Sequence, residues 1–353
     1  MKKLVSLLMA LCMMVSLAAC GGQEQTTDEG GAESDNGGYK IAFSNSYVGN
    51  AWRTAAVNIF DAYTADLVEQ GVLSKAYSSS AGDDVQAQIN EIRNMMSEGY
   101  DAIVCIAASA TGLQSVLEEA EERGIVVVCF DTTVDSDLVY NVNTDQFEYG
   151  RLLAQSLADR MGGEGNILWI KGIEGNRVTL DRTEGMQSVL DNYPGIKVLG
   201  DGYGKWDDST TASVMSNLMS AYASQGIDGI LSEGGGGHAI VQSLVENGID
   251  PATVPISEGE MFNSFMKDWV EMDLDAFCTA QPPYLAAAAV DVALKVLNGE
   301  EVEPMTYVDL PTCSSKEEAE EKWYQPDQEG GFVCDWTDNN NTWNLTIEDV
   351  APN

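Results

Sequence analysis

The sequence predicts an α/β fold of two similar doubly wound parallel-sheet lobes joined by a multi-strand hinge. Short continuous apolar runs of strand length alternate with amphipathic segments of helix length, and the alternation restarts after residue 142. Strands that are apolar throughout belong to a sheet covered on both faces. The residues after Tyr39 are also too many for one ordinary core, which makes two lobes the natural division.

The pattern opens between Ile41 and Arg53. Apolar Ile41 to Phe43 ends at Ser44, Asn45 and Ser46, and beyond Gly49 a helical face runs through Ala56, Ile59, Phe60, Tyr63 and Leu67. Leu73 to Tyr77 reads as a second strand. A helix with Val85, Ile89, Ile92 and Met96 on one face leads to Gly99, and strand Ala102 to Ala107 follows. Leu113, Val116, Leu117 and Ala120 mark the next helix, and Ile125 to Phe130 the next strand, which stops at Asp131. After a strand at Leu138 to Val142, strands are expected at Asn166 to Ile170, Lys197 to Tyr203, Gly229 to Leu231, Val254 to Ile256 and Asp275 to Thr279. Helices between them are expected around Phe147 to Met161, Asp181 to Leu190, Ala212 to Tyr222, Ala239 to Glu246 and Phe262 to Met272. Two such lobes in tandem leave a cleft between the carboxyl ends of their strands.

Polar residues just past those strand ends fall at the cleft: Asn45, Ser46, Asp131, Glu233 and Glu258. Singly, each reads more readily as a helix cap or turn residue, and it is their coincidence that points to a site. Tyr47, Trp52 and Trp206 add aromatic faces that can stack on a sugar ring, and Arg53 adds a planar fork of donors for paired hydroxyls. Trp52 and Arg53 read equally as the opening of an amphipathic helix. Carboxylates and guanidinium groups together with aromatic faces suit a neutral polyol better than a charged ligand.

Composition narrows the classes further. Lys and Arg total 18 against 56 Asp and Glu, a formal charge of -38 that repels nucleic acid and anionic lipid. The only histidine is His238, so neither a triad nor a histidine-rich metal site can be assembled. The run Gly234 to Gly237 is followed by no P-loop lysine. No cofactor and no metal are expected. A pair of carboxylates such as Asp131 and Glu258 would suit a surface glycosidase, the remaining enzymatic alternative.

The N-terminus reads as an export signal over residues 1–19: Met1-Lys2-Lys3, then an apolar run to Ala19 too short to span a membrane. Its end, Leu17-Ala18-Ala19-Cys20-Gly21, resembles the bacterial lipobox, which implies cleavage before Cys20 and a lipid anchor there. Residues 20–38, rich in glycine and acid, read as a flexible tether. Of the seven cysteines, Cys105, Cys129 and Cys278 lie in strand-like runs as buried thiols, and Cys313 and Cys334 are candidates for a disulfide in the tail.

Several segments in this order carry a family resemblance. Phe-Ser-Asn-Ser with Trp52-Arg53, Gln88 to Arg93 leading to Tyr100-Asp101-Ala102-Ile103, and Gly124 to Asp131 come first. Lys171-Gly172-Ile173-Glu174-Gly175 with Asp181-Arg182-Thr183-Glu184-Gly185, then Gln281-Pro282-Pro283, complete it. Together they resemble the type I periplasmic sugar-binding proteins of ABC importers, the group that contains ribose-, galactose- and galactofuranose-binding proteins. The resemblance implies ligand roles for Arg53, Asp131, Arg182, Glu258 and Gln281, with Trp52 and Trp206 lining the sugar faces. It also implies hinge closure on binding and docking of the closed form on a membrane permease. Glu233-Gly234 stands where relatives place Asn-Asp, and Glu258-Gly259 where they carry Asp-Gly, so the ligand cannot be copied from them.

The expectation is therefore a monomeric, lipid-anchored, extracytoplasmic protein that captures a monosaccharide or related small polyol for an ABC permease. The alternative with the same fold is a sensor that hands its bound state to a membrane kinase or chemoreceptor. The expected division is 39–142 plus 282–303 for the first lobe and 143–281 plus 304–353 for the second, with the tail packed on the second.

Overall fold

The computed structural model describes residues 37–337 and 340–351; the expected signal segment, Cys20 and nearly all of the tether lie outside them. The first half runs β1 (Tyr39–Asn45), α1 (Ala51–Glu69), β2 (Leu73–Ser80), α2 (Val85–Glu98), β3 (Ala102–Ile106), α3 (Gln114–Glu122), β4 (Val126–Phe130) and β5 (Tyr140–Asn143). The second half repeats it with α4 (Gln146–Arg160), β6 (Glu164–Lys171), α5 (Arg177–Leu190), β7 (Gly195–Tyr203), α6 (Asp208–Tyr222) and β8 (Gly229–Ser232). It continues with α7 (Gly237–Glu246), β9 (Ile256–Gly259), α8 (Asn263–Met272) and β10 (Ala276–Thr279). A return segment follows: α9 (Leu285–Leu297), β11 (Met305–Tyr307), β12 (Thr312–Cys313), the short α10 (Lys316–Glu318) and α11 (Ile347–Val350).

Two six-stranded sheets result, ordered β2-β1-β3-β4-β5-β11 and β7-β6-β8-β9-β10-β12. The order is the same in both. Every pair is parallel except β10 with β12, which is antiparallel at the edge of the second sheet. β3 and β4 are buried along their whole length because helices cover both faces of the first sheet. Asn50, Asp84, Asp145, Asn176 and Asp207 cap α1, α2, α4, α5 and α6, each accepting a first-turn N–H that would otherwise have no partner.

The chain crosses between sheets after β5, after β10 and after β11, which makes the hinge three-stranded. β11 pairs with β5, and α11 packs on α1, so both lie with the first lobe although the sequence reading gave everything from residue 304 on to the second. The tail thus touches both lobes: Val333 bridges to Phe262, while Asn58 donates to the carbonyls of Val350 and Ala351. The expected Cys313–Cys334 disulfide is absent. All five described cysteines are free and buried. Cys313 sits on β12 opposite Cys278, whereas Cys334 lies on the tail with its N–H on the Met261 carbonyl.

Candidate ligand-binding cleft

On the first lobe the site is built around Arg53. Asn50 starts α1 by accepting the Arg53 N–H at 2.8 Å, which turns the arginine back toward the end of β1. Its guanidinium donates to Asn45 Oδ1 at 3.2 Å, to Ser46 Oγ at 2.9 Å and to Asp131 Oδ2 at 2.8 Å. The rings of Tyr47 and Trp52 flank it, with centroids 5.3 and 5.8 Å away. Trp52 is buried, and its indole N–H donates to the backbone carbonyl of Gln281 at 2.6 Å. That side chain ties α1 to the hinge.

Asp131, just past β4, has φ 60°, a left-handed conformation uncommon outside glycine. The turn aims its carboxylate away from the sheet, where Oδ1 accepts from Gln281 Nε2 at 2.6 Å. Gln281 in turn accepts from Thr144, Gln146 and Arg182. One belt of hydrogen bonds therefore runs from Arg53 on the first lobe, through Asp131 and Gln281, to Arg182 on the second.

Arg182 is placed by a close helix crossing. A Cβ added at Gly150 would lie 2.0 Å from the Arg182 carbonyl oxygen, and one at Gly185 2.0 Å from that of Phe147, so α4 and α5 meet backbone to backbone only because both positions are glycine. The crossing lays the Arg182 guanidinium 3.6 Å from the centroid of the Tyr149 ring. Arg182 donates to Gln146 Oε1 at 2.8 Å, to the Glu233 carbonyl oxygen at 2.8 Å and to Glu260 Oε1 at 3.4 Å. At 2 % exposure it is a buried cation with its partners fixed.

Glu233 and Glu258, expected at the ligand, are turned into the second lobe. Glu233 accepts from the Gly172 N–H and the Thr183 hydroxyl, both at 2.9 Å, and holds Arg182 through its own carbonyl. Glu258 accepts from the Gly236 N–H at 3.1 Å and is 1 % exposed. Burial lifts their carboxyls to about 7 and about 8, respectively. Glu258 thus bonds within the second lobe, whereas Asp131 bonds Arg53 and Gln281. Glu260, two residues on, is the carboxylate that faces Arg182; its φ of 68° ends β9 and swings the side chain off the strand.

Trp206 is half-buried with φ 54° and has Gly172 and Gly235 against it; a Cβ at Gly235 would come within 2.5 Å of its backbone. The glycine run thus gives Trp206 room. His238 donates to or accepts from Asp268 at 2.6 Å, outside the belt. A cavity of about 60 Å³ between α1 and the tail and an open groove beside α4 touch none of the belt residues.

Thr144, Gln146, Tyr149 and Glu260 escaped the sequence reading. Asn143-Thr144-Asp145-Gln146 is a polar stretch at the end of β5, the same signal that singled out Asn45 and Ser46 at the end of β1. Chemically, the belt offers planar donors and carboxylate acceptors, with the rings of Tyr47, Trp52, Tyr149 and Trp206 beside its two arginines. Hydroxyls of a small polyol match that set.

Comparison with known proteins agrees with this architecture. A xylitol-binding protein of Mycolicibacterium smegmatis is 31% identical over 172 residues, 48% of this chain and 49% of its own. A multiple sugar-binding periplasmic receptor of Rhizobium radiobacter is 30% identical over 171 residues, 42% of this chain and 48% of its own. The matched stretch spans about half the length of each relative. The solved structure of an ABC transporter solute-binding protein from Thermobispora bispora superposes with a TM-score of 0.74 at 20% identity, covering 88% of this chain and 95% of that one. Among the described residues no helix is long and apolar enough to cross a membrane. The model of the periplasmic binding protein domain matches residues 41–301, and the chain belongs to that family of extracytoplasmic binding proteins, which are not enzymes.

Proposed function

We propose that this chain is a lipid-anchored solute-binding protein that captures a monosaccharide or related small polyol between its lobes and delivers it to an ABC permease. The observation that carries the reading is the belt Arg53–Asp131–Gln281–Arg182, which spans both lobes through the hinge and presents hydroxyl-binding groups from each. Asn45, Ser46 and Glu260 complete the polar shell, and Tyr47 and Trp206 supply the stacking faces. The named relatives are sugar and xylitol binders, which supports the same ligand class. The protein acts as a monomer, held at the outer face of the membrane through Cys20.

The test is a thermal-shift screen over pentoses, hexoses and their reduced polyols. A ligand that binds only the folded form raises the melting temperature with concentration, by about 2.7 kcal/mol of stability at one hundred times its Kd. If no member of the library raises it, the reading is wrong. Asp131→Asn keeps the shape but weakens the clasp on Arg53, so the shift for the true ligand is expected to fall. Cys20→Ala, expressed in a bacterium, is expected to release the protein from the membrane fraction.

A further inference from the structure

The C-terminal tail lies outside the family match of residues 41–301, yet it reaches the cleft from behind. Val333 forms an antiparallel bridge with Phe262, and the Cys334 N–H donates to the Met261 carbonyl at 2.8 Å. Asp335 follows Cys334 and Glu260 precedes Met261, so this one hydrogen bond brings the two carboxyl-bearing residues into the same neighbourhood. Asp335 is wholly buried, and neither of its carboxyl oxygens has a hydrogen-bond partner. Glu260 Oε1 meets Arg182 and the Tyr149 hydroxyl, but its Oε2 is also buried without a partner.

A buried carboxylate without a donor costs several kcal/mol, and two that face each other cost more, unless one keeps its proton. The groups around the pair offer little relief. Among the described residues Arg182 from α5 is the one cation in contact, and it is shared with Gln146, Gln281 and the Glu233 carbonyl. Tyr149 from α4, Glu258 from β9, Cys278 from β10 and Cys334 beside Asp335 are neutral or acidic. Burial pushes both carboxyls upward; Arg182 opposes this at Glu260, and the Glu260 charge adds to it at Asp335.

We propose that Asp335 and Glu260 hold a single proton between them, so that the tail sets the charge and position of the cleft carboxyl that faces Arg182. Asp335 is then a positioning residue for the ligand site, acting through Glu260. The inference rests on the cleft reading above for its role in binding, though not for the proton itself. With one proton the pair carries one negative charge, balanced by Arg182, which leaves a neutral rim suited to an uncharged ligand. When the pair loses that proton, two carboxylates repel and Glu260 leaves its place.

Two measurements decide it. Infrared difference spectra of the ligand-free protein at neutral pH, wild type minus Asp335→Asn, are expected to show the loss of one protonated-carboxyl band; Glu260→Gln is expected to remove the same band and carries this arm if Asp335→Asn does not fold. An unchanged band in both variants overturns the proposal, whatever the protein binds. For the polyol found in the screen, wild-type affinity is expected to fall with rising pH, by at most about tenfold per unit for one linked proton, while Asp335→Asn gives a flatter profile. Identical pH profiles in the two proteins would overturn the role in the site. A screen that finds no polyol would instead count against the binding reading and leave the infrared result to decide the pair.

Discussion

Arg182 joins two roles. It is buried, it stacks on Tyr149, and it is the counter-ion of Glu260. Arg182→Ala leaves that carboxylate without its cation and is expected to cost about 3–5 kcal/mol of stability as well as ligand binding. Chemical denaturation measures the first and the thermal-shift response the second; a variant as stable as wild type would remove the arginine from the core of the site. Buried carboxyls make a separate prediction. Burial raises Glu121 and Glu233 to about 7 and Glu258 to about 8, all from ordinary values near 4.5. The folded state therefore holds protons that the unfolded chain has released. Stability is full below the unfolded values and falls as pH rises from about 4.5 to about 8. Unfolding in denaturant at pH 5 and pH 8 checks this, and equal stability at both would refute it. The sequence reading put Asn45, Ser46 and Asp131 at the ends of apolar strands, and they lie there, at the ends of β1 and β4. Glu258, expected just past a strand, lies within β9, and Glu260, which the sequence reading did not name, follows it in a left-handed turn.

At the scale of elements, the site depends on α4 crossing α5 at backbone contact. Gly150→Ala or Gly185→Ala places a methyl about 2.0 Å from a carbonyl oxygen of the facing helix. Each is expected to cost about 1–3 kcal/mol and to weaken ligand binding by shifting Arg182, although neither glycine belongs to the belt. Calorimetry with the screened ligand checks both effects, and an unchanged Kd in the two variants would show that the crossing does not set the arginine. Nine of the first ten strands and the helices between them were legible from periodicity; the ninth was expected at Val254 to Ile256 but lies at Ile256–Gly259. α9 was not, because its Leu285-Ala-Ala-Ala-Ala-Val opening is buried on all sides and has no polar face to give a period. β11 and β12, of three and two residues, are too short to carry any pattern.

At the scale of the molecule, the tail is a fourth link between the lobes beside the three hinge strands. Its last part is fastened to the first lobe by Trp343, which stacks on Tyr284 at 5.1 Å and donates to Asp291 at 2.7 Å. Asp291 also accepts the Tyr63 hydroxyl at 2.5 Å, so the same carboxylate gathers α1, α9 and the tail. Trp343→Ala removes the stacked ring and is expected to cost about 3–5 kcal/mol, measured by thermal unfolding. A loss below about 1 kcal/mol would mean that the tail is not fastened there.

The sequence by itself determined the two-lobed parallel architecture, the family, and the polar ends of β1 and β4, because these depend on local apolar runs and on the residues that interrupt them. Only the tertiary structure decided which carboxylate faces Arg182, which glutamine side chains close the belt, and that the tail returns to the first lobe after passing behind Glu260. Those outcomes come from contacts between residues far apart in the chain and from single backbone turns, and neither leaves a period in the sequence.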